Sequence, residues 1–281
     1  MSAKDEDQKC VVGIVGAGTM GTGIAQVVAA AGVDVILVDE DEQALQRSAE
    51  MITTRVSRTE GAGSIKPTRD VADIAMADVV IEAIVERLDD KRALFTVIDG
   101  IVSEDALLAT NTSSLSIAEI AAGTRHPDRA VGIHFMNPAP LMKLVEVVKA
   151  DATSNAAIER AEAFVARIGK KPVRVADRPC FIVNRLLMPL INEAARALGE
   201  GVATAEAIDA AMKLGANFPM GPLHLADLIG IDIVVEELRV LSAGLGTHHE
   251  PALELVARAE SGDLGRKTGR GFFEYPRPAP R

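Results

Sequence analysis

The chain has 281 residues, and its 30 lysines and arginines against 40 aspartates and glutamates give a formal net charge of −10. With seven Phe, one Tyr and no Trp, it lacks both the positive field that holds phosphate backbones and the aromatic rings that stack on bases, so nucleic acid is excluded as an expected partner. The polar segment Met1 to Lys9 does not have the form of a signal peptide, and no run of about 18 apolar residues predicts a membrane span. Two cysteines, Cys10 and Cys180, fit a reducing compartment. We therefore expect a cytoplasmic globular protein without a membrane partner.

The first half of the chain alternates short apolar runs with helical patterns. Strands are predicted at Cys10–Val15, Asp34–Val38, Asp78–Ile81, Ala106–Ala109, Ala130–Phe135 and Leu144–Val148. Helices are predicted at Thr19–Ala31, Glu42–Arg55 and Arg87–Gly100. This alternation predicts an α/β fold with a Rossmann-type, doubly wound and mostly parallel sheet.

The second half of the chain has helical periodicity only. Its predicted helices are Ile182–Leu198, Thr204–Leu214, Pro222–Leu228, Ile233–Leu241 and Pro251–Glu260. The change of pattern predicts a dinucleotide-binding domain over residues 1–178, followed by an all-α domain over residues 179–281. The proline-rich tail Pro276–Arg281 is predicted to be disordered.

A glycine-rich turn follows the first predicted strand and precedes the first predicted helix. Its G-x-G-x-x-G pattern allows a tight turn at Gly16, close approach of a pyrophosphate at Gly18 and close helix–strand packing at Gly21. Asp39 ends the second strand, where a carboxylate meets ribose hydroxyls and repels a 2′-phosphate, so NAD is favoured over NADP. The predicted cofactor-binding residues of this region are Gly16, Gly18, Thr19, Met20, Gly21 and Asp39. The alternatives are a glycine turn without a ligand and an incidental carboxylate at a strand end.

Two later strands flank a proline-rich connection and carry a histidine and a glutamate. If Pro140 lies at the middle of this connection, His134 and Glu146 are cross-strand neighbours on one face of an antiparallel hairpin. An imidazole held by a carboxylate is a general base, which the oxidation of a hydroxyl group requires. The alternative is a buried histidine and a surface glutamate that merely share a hairpin.

Three further groups of polar residues have a structural alternative. Residues Asn111 to Ser114 follow a predicted strand at the carboxyl edge of the sheet, where ligands bind, and could also cap the helix that begins near Ser116. Asn184 begins the first long helix of the second half and could be a structural hydrogen bonder. No metal site is predicted, because His248 and His249 are adjacent in the sequence and lack the i, i+4 spacing of two metal ligands on one helix.

Several long motifs together resemble the 3-hydroxyacyl-CoA dehydrogenase family, in particular its short 3-hydroxybutyryl-CoA dehydrogenase branch, from about Lys9 to Tyr275. These motifs are GAGTMGTGIAQ, VIEAIVERLDDK, NTSSLSIAEIA, HFMNPAPLMKLVEV, FIVNRLLMPLINEA, NFPMGP and GRKTGRGFFEY. The resemblance implies oxidation of L-3-hydroxyacyl thioesters with NAD, or the reverse reduction, by a homodimer.

The resemblance also implies roles for single residues. His134 matches the family's catalytic base and Glu146 its partner, while Ser113 and Asn184 match catalytic residues that contact the 3-oxygen and thioester region of the substrate. Asn137 matches an active-site asparagine that contacts substrate. The residues that it places near the cofactor are Glu86, Lys91 and Asn111.

One segment departs from the family pattern. Residues Glu50 to Asp78 are too short for the projecting helical hairpin that contacts the CoA nucleotide in the family, and Gly61-Ala-Gly63 replaces its distal turn. A thioester on an acyl carrier protein therefore stays open as an alternative to a CoA thioester. A non-catalytic dinucleotide-binding or crystallin-like protein is the alternative from another functional class.

Overall fold

The computed structural model describes residues 10–276, and these divide into two compact units at residues 178 and 179. The predicted disordered tail lies outside the described residues apart from Pro276. Within the described residues, no helix is long and apolar enough to cross a bilayer.

The first unit is built on one eight-stranded sheet. Its strands are β1 Val11–Val15, β2 Asp34–Val38, β3 Ile65–Thr68, β4 Val79–Glu82, β5 Leu107–Thr110, β6 Ala130–Phe135, β7 Leu144–Lys149 and β8 Lys171–Ala176. The spatial order is β3-β2-β1-β4-β5-β6-β7-β8, and every neighbouring pair is parallel except β6 and β7. The strand order reverses between β1 and β4, which is the point where doubly wound sheets bind ligands. The predicted Rossmann-type fold is thus confirmed.

The helices of the first unit cover the sheet. They are α1 Thr19–Ala30, α2 Glu42–Val56, α3 Leu88–Ile101, α4 Ile117–Ala121 and α5 Asn155–Arg167. Helix α1 packs its Ile24 and Val28 side chains, both fully buried, against a core that includes Ile14 and Leu37. Each such aliphatic side chain contributes about 2 kcal/mol through burial. This packing fixes the glycine turn that joins β1 to α1.

Three elements of this unit were not predicted from the sequence, and a fourth has a different cap. Strands β3 and β8 lie at the two edges of the sheet, and each contains a proline and a charged residue, so neither has the apolar run of a central strand. Helix α5 does carry a helical pattern of buried residues, including Ile158, Phe164 and Val165, and could have been predicted from it. For the short helix α4, the predicted start near Ser116 is correct, but Ser116 itself caps it by accepting from the N–H of Glu119. Residues Asn111 to Ser114 are therefore not its cap.

The connection between α2 and β3 is a segment of turns over residues 57–64 and contains no helix. The N–H of Gly63 donates to the carbonyl oxygen of Ala29 over 2.8 Å, and a Cβ at Gly63 would overlap the carbonyl of Val33. The segment thus packs directly against the end of α1 and against Val33, which precedes β2. No helical hairpin lies between α2 and β3.

The second unit is all-helical, as predicted. Its helices are α6 Val183–Gly199, α7 Ala205–Gly215, α8 Pro222–Ile229, α9 Ile231–Leu245 and α10 Leu253–Ser261. Their core includes Met188, Ile191, Val234 and Leu238. Helix α9 begins two residues earlier and ends four residues later than predicted, because Gly230 and Gly246, both with positive φ, delimit it.

Candidate active site

The glycine turn between β1 and α1 has the geometry of a phosphate-binding loop. Gly16 has φ = +111°, and a Cβ there would collide with the carbonyl of Ala83. A Cβ at Gly21 would overlap the carbonyl oxygen of Gly16, so helix and turn can approach only without a side chain. A Cβ at Gly18 would have no atom within 4 Å, and Gly18 begins α1 without a side-chain cap. The N–H groups of the first helical turn therefore remain available to an anion, as a dinucleotide phosphate requires.

The carboxylate of Asp39 lies at the end of β2 and contacts this turn directly. Its Oδ2 accepts from the N–H of Ala17 over 2.6 Å, and its Oδ1 accepts from the N–H of Asp41 over 2.9 Å. Each carboxylate oxygen has a further lone pair that can accept a ribose hydroxyl. Of the other predicted loop residues, Thr19 is exposed and Met20 is half-buried against the core. These residues fit a dinucleotide with free ribose hydroxyls.

A buried histidine–glutamate pair lies on β6 and β7. His134 and Glu146 are directly paired in the antiparallel register, as predicted. The Nδ1 of His134 and the Oε2 of Glu146 are 2.8 Å apart, and both residues are buried. A carboxylate at this distance holds the imidazole in the tautomer that donates from Nδ1. Because β7 runs antiparallel to β6, both side chains lie near the carboxyl edge of the parallel strands.

The connection between these two strands contains a cis peptide bond between Asn137 and Pro138. Asn137, predicted to contact substrate, is exposed on this connection. Lys170 was not predicted from the sequence, and its Nζ donates to the carbonyl oxygens of Ala139, Pro140 and Met142 over 2.6–3.2 Å. Burial lowers the pKa of this ammonium group. Its three hydrogen bonds hold the connection that joins the His134 strand to the Glu146 strand.

Glu86 links the segment after β4 to the segment after β5. Its Oε1 accepts from the N–H of Ser113 over 2.8 Å and from the hydroxyl of Thr112, and its Oε2 lies 3.2 Å from the Nζ of Lys91. Burial alone would raise the pKa of Glu86, but the charge of Lys91 and these hydrogen bonds hold it below its usual value. The geometry thus brings the predicted residues Glu86, Lys91 and Ser113 together around one ionised carboxylate.

Lys91 is buried, with a side chain only 1% exposed, and it faces a second carboxylate that was not predicted from the sequence. Its Nζ lies 2.6 Å from Oε1 of Glu82, a fully buried residue that ends β4. The other oxygen of Glu82 accepts from the hydroxyl of Thr110 over 2.7 Å. A glutamate that ends an otherwise apolar strand, nine residues before a lysine, is the sequence signal that could have predicted this pair. Lys91 therefore forms ion pairs with two carboxylates, those of Glu82 and Glu86.

Asn111 connects the ends of two strands. Its N–H donates to the carbonyl of Glu82 over 2.8 Å, and its side-chain Oδ1 accepts from the N–H of Phe135 over 2.9 Å. The side-chain amide is thereby oriented with its oxygen toward β6. Asn111 lies beside the strand that carries His134.

Asn184 is the one predicted catalytic residue that belongs to the second unit. It lies in the first turn of α6, and its Nδ2 donates to Oε1 of Glu237 on α9 over 2.9 Å. Glu237 is buried, and it was not predicted from the sequence because it lies 53 residues after Asn184 in the chain.

Comparison with known proteins gives the class to which this fold and site belong. Residues 11–178 match the family model for the NAD-binding domain of 3-hydroxyacyl-CoA dehydrogenase, and residues 181–275 match the model for its C-terminal domain. The chain belongs to the 3-hydroxyacyl-CoA dehydrogenase family. It is an oxidoreductase with NAD as its cofactor, which confirms the prediction from the glycine turn and Asp39.

Three similar proteins show how far this relationship extends. The chain is 45% identical over 277 residues to a 3-hydroxybutyryl-CoA dehydrogenase of Bradyrhizobium diazoefficiens, with 94% of each chain covered. It is 41% identical over 285 residues to the human mitochondrial hydroxyacyl-coenzyme A dehydrogenase, covering 94% of this chain and 90% of that protein. The crystal structure of (S)-3-hydroxybutyryl-CoA dehydrogenase PaaH1 from Ralstonia eutropha superimposes with a TM-score of 0.90 at 42% identity, covering 96% of this chain and all of that one.

Proposed function

We propose that this protein interconverts L-3-hydroxyacyl and 3-oxoacyl thioesters of coenzyme A, with 3-hydroxybutyryl-CoA as the first candidate substrate. The observation that carries the proposal is the buried His134–Glu146 pair at the same sheet edge as the uncapped glycine turn. A base beside a dinucleotide site is what alcohol oxidation requires. The names of the relatives in Bradyrhizobium diazoefficiens and Ralstonia eutropha support the substrate class.

His134 is proposed as the general base. Its Nδ1–H donates to Glu146, so this tautomer carries its lone pair on Nε2, the atom that takes the proton of the 3-hydroxyl group. Glu146 stabilises the imidazolium that forms, because its charge lies 2.8 Å away in a buried environment. Bound NAD supplies the hydride acceptor for the hydrogen on C3. In the reverse direction, the imidazolium returns its proton to the 3-oxygen.

The remaining predicted residues are proposed to bind and orient the reactants. Ser113, whose N–H is fixed by Glu86, and Asn184 are proposed to contact the 3-oxygen and thioester region. Asn137 is proposed to contact the acyl thioester from the exposed β6–β7 connection. Glu86 and Asn111 are proposed to face the cofactor.

Coenzyme A is the proposed carrier, although one observation favours testing a second carrier. The connection between α2 and β3 is a short segment of turns, and it offers no helical hairpin to a CoA nucleotide. An acyl carrier protein presents the same phosphopantetheine thioester without that nucleotide. The high identity to relatives named for CoA substrates favours coenzyme A.

The family resemblance also supports a homodimer. The second unit exposes apolar side chains that a partner subunit would cover, among them Leu186 and Ile182, one turn apart at the start of α6. Burying such side chains is favourable, and contiguous exposed apolar patches mark interaction surfaces. Sedimentation equilibrium of the wild type and of Leu186→Glu tests this: we expect a dimer that the charged variant weakens.

Oxidation of NADH at 340 nm with acetoacetyl-CoA tests the proposed function. We expect turnover with acetoacetyl-CoA that exceeds turnover with acetoacetyl-acyl carrier protein at equal concentration. A reversed preference would replace CoA by the carrier protein as the substrate. Binding of NADH without turnover of either thioester would contradict the proposal and favour a non-catalytic dinucleotide-binding protein.

A further inference from the structure

The turn that leads into α6 has an unusual backbone. Cys180 and Phe181 both have positive φ, +57° and +54°, although neither is glycine. Non-glycine residues adopt this left-handed region at an energetic cost, and two in succession persist only where the surrounding structure holds them. Both side chains are buried, and Cys180 belongs to the core of the second unit. The strained turn therefore has a fixed position, and it ends three residues before Asn184.

Glu237 on helix α9 forms hydrogen bonds with both the Cys180–Phe181 turn and Asn184. The Sγ of Cys180 donates to the carbonyl oxygen of Glu237 over 3.7 Å, and the carboxylate of Glu237 accepts from Nδ2 of Asn184 over 2.9 Å. Glu237 is only 4% exposed. A buried carboxylate strengthens such a hydrogen bond, because little water competes for the amide.

A carboxylate can also fix which end of an amide faces it. The two ends of an asparagine side chain have nearly the same shape but opposite hydrogen-bonding roles. Because Oε1 of Glu237 accepts from Nδ2 of Asn184, the asparagine directs its NH₂ group toward α9 and its carbonyl oxygen away from it. The orientation that Asn184 offers to a ligand is thus set by Glu237 rather than by Asn184 itself.

We propose that Glu237 is a positioning residue for Asn184, with the strained Cys180–Phe181 turn fixing the start of α6 against it. This inference rests on the proposed function, in which Asn184 contacts the acyl thioester. Glu237 itself touches no reactant. Its loss should affect thioester turnover only through Asn184, and should leave binding of the dinucleotide unchanged.

A double-mutant cycle on the full-length protein tests this. The variants are Glu237→Leu, which has a similar volume without an acceptor, Glu237→Gln, which retains an acceptor oxygen, Asn184→Ala, and the two combinations with Asn184→Ala. Steady-state rates with acetoacetyl-CoA, NADH affinity by fluorescence and thermal midpoints are measured for each. Glu236→Leu, one residue earlier on the same helix, is the matched control.

We expect Glu237→Leu to lower kcat/KM by about 10-fold or more, because small misplacements of a substrate-contacting group are costly. Glu237→Gln can either accept from Asn184 or donate to it, so it should lower kcat/KM by only about 3-fold. NADH affinity should stay within about 2-fold throughout. In the Asn184→Ala background, neither change should have a further effect, because residues that act as a unit are non-additive. The control Glu236→Leu should match the wild type.

If Glu237→Leu lowers kcat/KM equally in the wild-type and Asn184→Ala backgrounds, the inference is overturned, since Glu237 would then act independently of Asn184. Full activity of Glu237→Leu would also overturn it. If Glu237→Leu does not fold, Glu237→Gln replaces it in the test. Its smaller loss of kcat/KM is then compared between the wild-type and Asn184→Ala backgrounds. Wild-type turnover in this assay checks the proposed function separately, so a fully active variant beside an active wild type contradicts only the role of Glu237.

Discussion

His134 on β6 and Glu146 on β7 are paired across an antiparallel ladder, with Nδ1 and Oε2 2.8 Å apart in a buried environment. The two strands are consecutive in the chain, and the connection between them is held by Lys170 through three carbonyl oxygens. The position of the imidazole is therefore fixed from both sides, by the strand register and by the carboxylate.

This pair predicts unequal effects for its two members. His134→Gln removes the proposed base and should lower kcat for acetoacetyl-CoA by about 10³-fold, within the range found for general bases. Glu146→Gln keeps a hydrogen-bond acceptor but loses the charge that stabilises the imidazolium, so kcat should fall by about 10- to 100-fold. Steady-state kinetics and NADH affinity measure these effects, and affinity should change by less than about 2-fold.

The double variant and a distant histidine complete this test. His134→Gln with Glu146→Gln should be no slower than His134→Gln alone, because Glu146 acts through the imidazole. His126→Gln, in the turn before β6, should retain wild-type rates. Wild-type kcat in His134→Gln would remove His134 as the base.

The hairpin register could be predicted from the sequence because His134 and Glu146 are separated by only 12 residues, and a two-residue period fixes which side chains share a face. The glycine turn was predictable for the same reason, since one short motif determines its backbone. Lys170 and Glu237 could not be found in this way. Each contacts a segment 28 to 57 residues away, so only the packing of separate elements brings the groups together.

The buried charges of Glu82 and Lys91 show a second limit to what the sequence predicts. Glu82 ends an apolar strand and Lys91 lies on the next helix, so both residue types were visible in the sequence. Burial of the two charges, however, depends on the sheet order that places β5 against β4. The sequence predicted Lys91 near a cofactor, which stays a prediction. The geometry adds that its ammonium group is enclosed by the carboxylates of Glu82 and Glu86.

Two glycines of the dinucleotide turn predict opposite outcomes for the same change. Gly21→Ala should destabilise the fold by about 3 kcal/mol or more, because its Cβ would overlap the backbone of Gly16. Gly18→Ala should fold normally, since Gly18 has φ = −69° and open space around it, but the methyl group should weaken NADH binding by about 10-fold. Urea denaturation and NADH titration distinguish the two. Unchanged NADH affinity in a folded Gly18→Ala would argue against phosphate binding at this turn.

The buried ion pair of Lys91 predicts a large loss of stability when one partner is removed. Lys91→Met leaves the fully buried Glu82 without its cation and should lower the free energy of unfolding by about 3 to 5 kcal/mol. Adding Glu82→Gln removes the uncompensated charge and should recover at least half of that loss. The control is Lys66→Met, which breaks the exposed Lys66–Asp73 pair at 3.1 Å and should cost less than about 1 kcal/mol. Equal losses from Lys91→Met and Lys66→Met in urea denaturation would contradict this account.

The Asp99 carboxylate predicts a stability that depends on pH. Asp99 is buried, and its oxygens lie 2.6 Å from Arg129 and 2.9 Å from Arg125. Burial opposes ionisation, but these hydrogen bonds and the charge of Arg129 lower its pKa from 3.8 to about 2. The folded pKa lies below the unfolded one, so this contribution is fully present above about pH 5 and is lost as the pH falls toward 2.

The shift corresponds to about 2 kcal/mol, and Asp99→Asn should isolate it from the other carboxylates. We expect the variant to be less stable than the wild type at pH 6, with a difference that shrinks steadily between about pH 5 and about pH 2. The loss at pH 6 should exceed about 2 kcal/mol, because Arg129 then keeps a buried charge without its carboxylate. Urea denaturation at five pH values measures the difference. A difference that stays constant, or grows as the pH falls, would show that the ionised Asp99 does not stabilise the fold through Arg129 and Arg125.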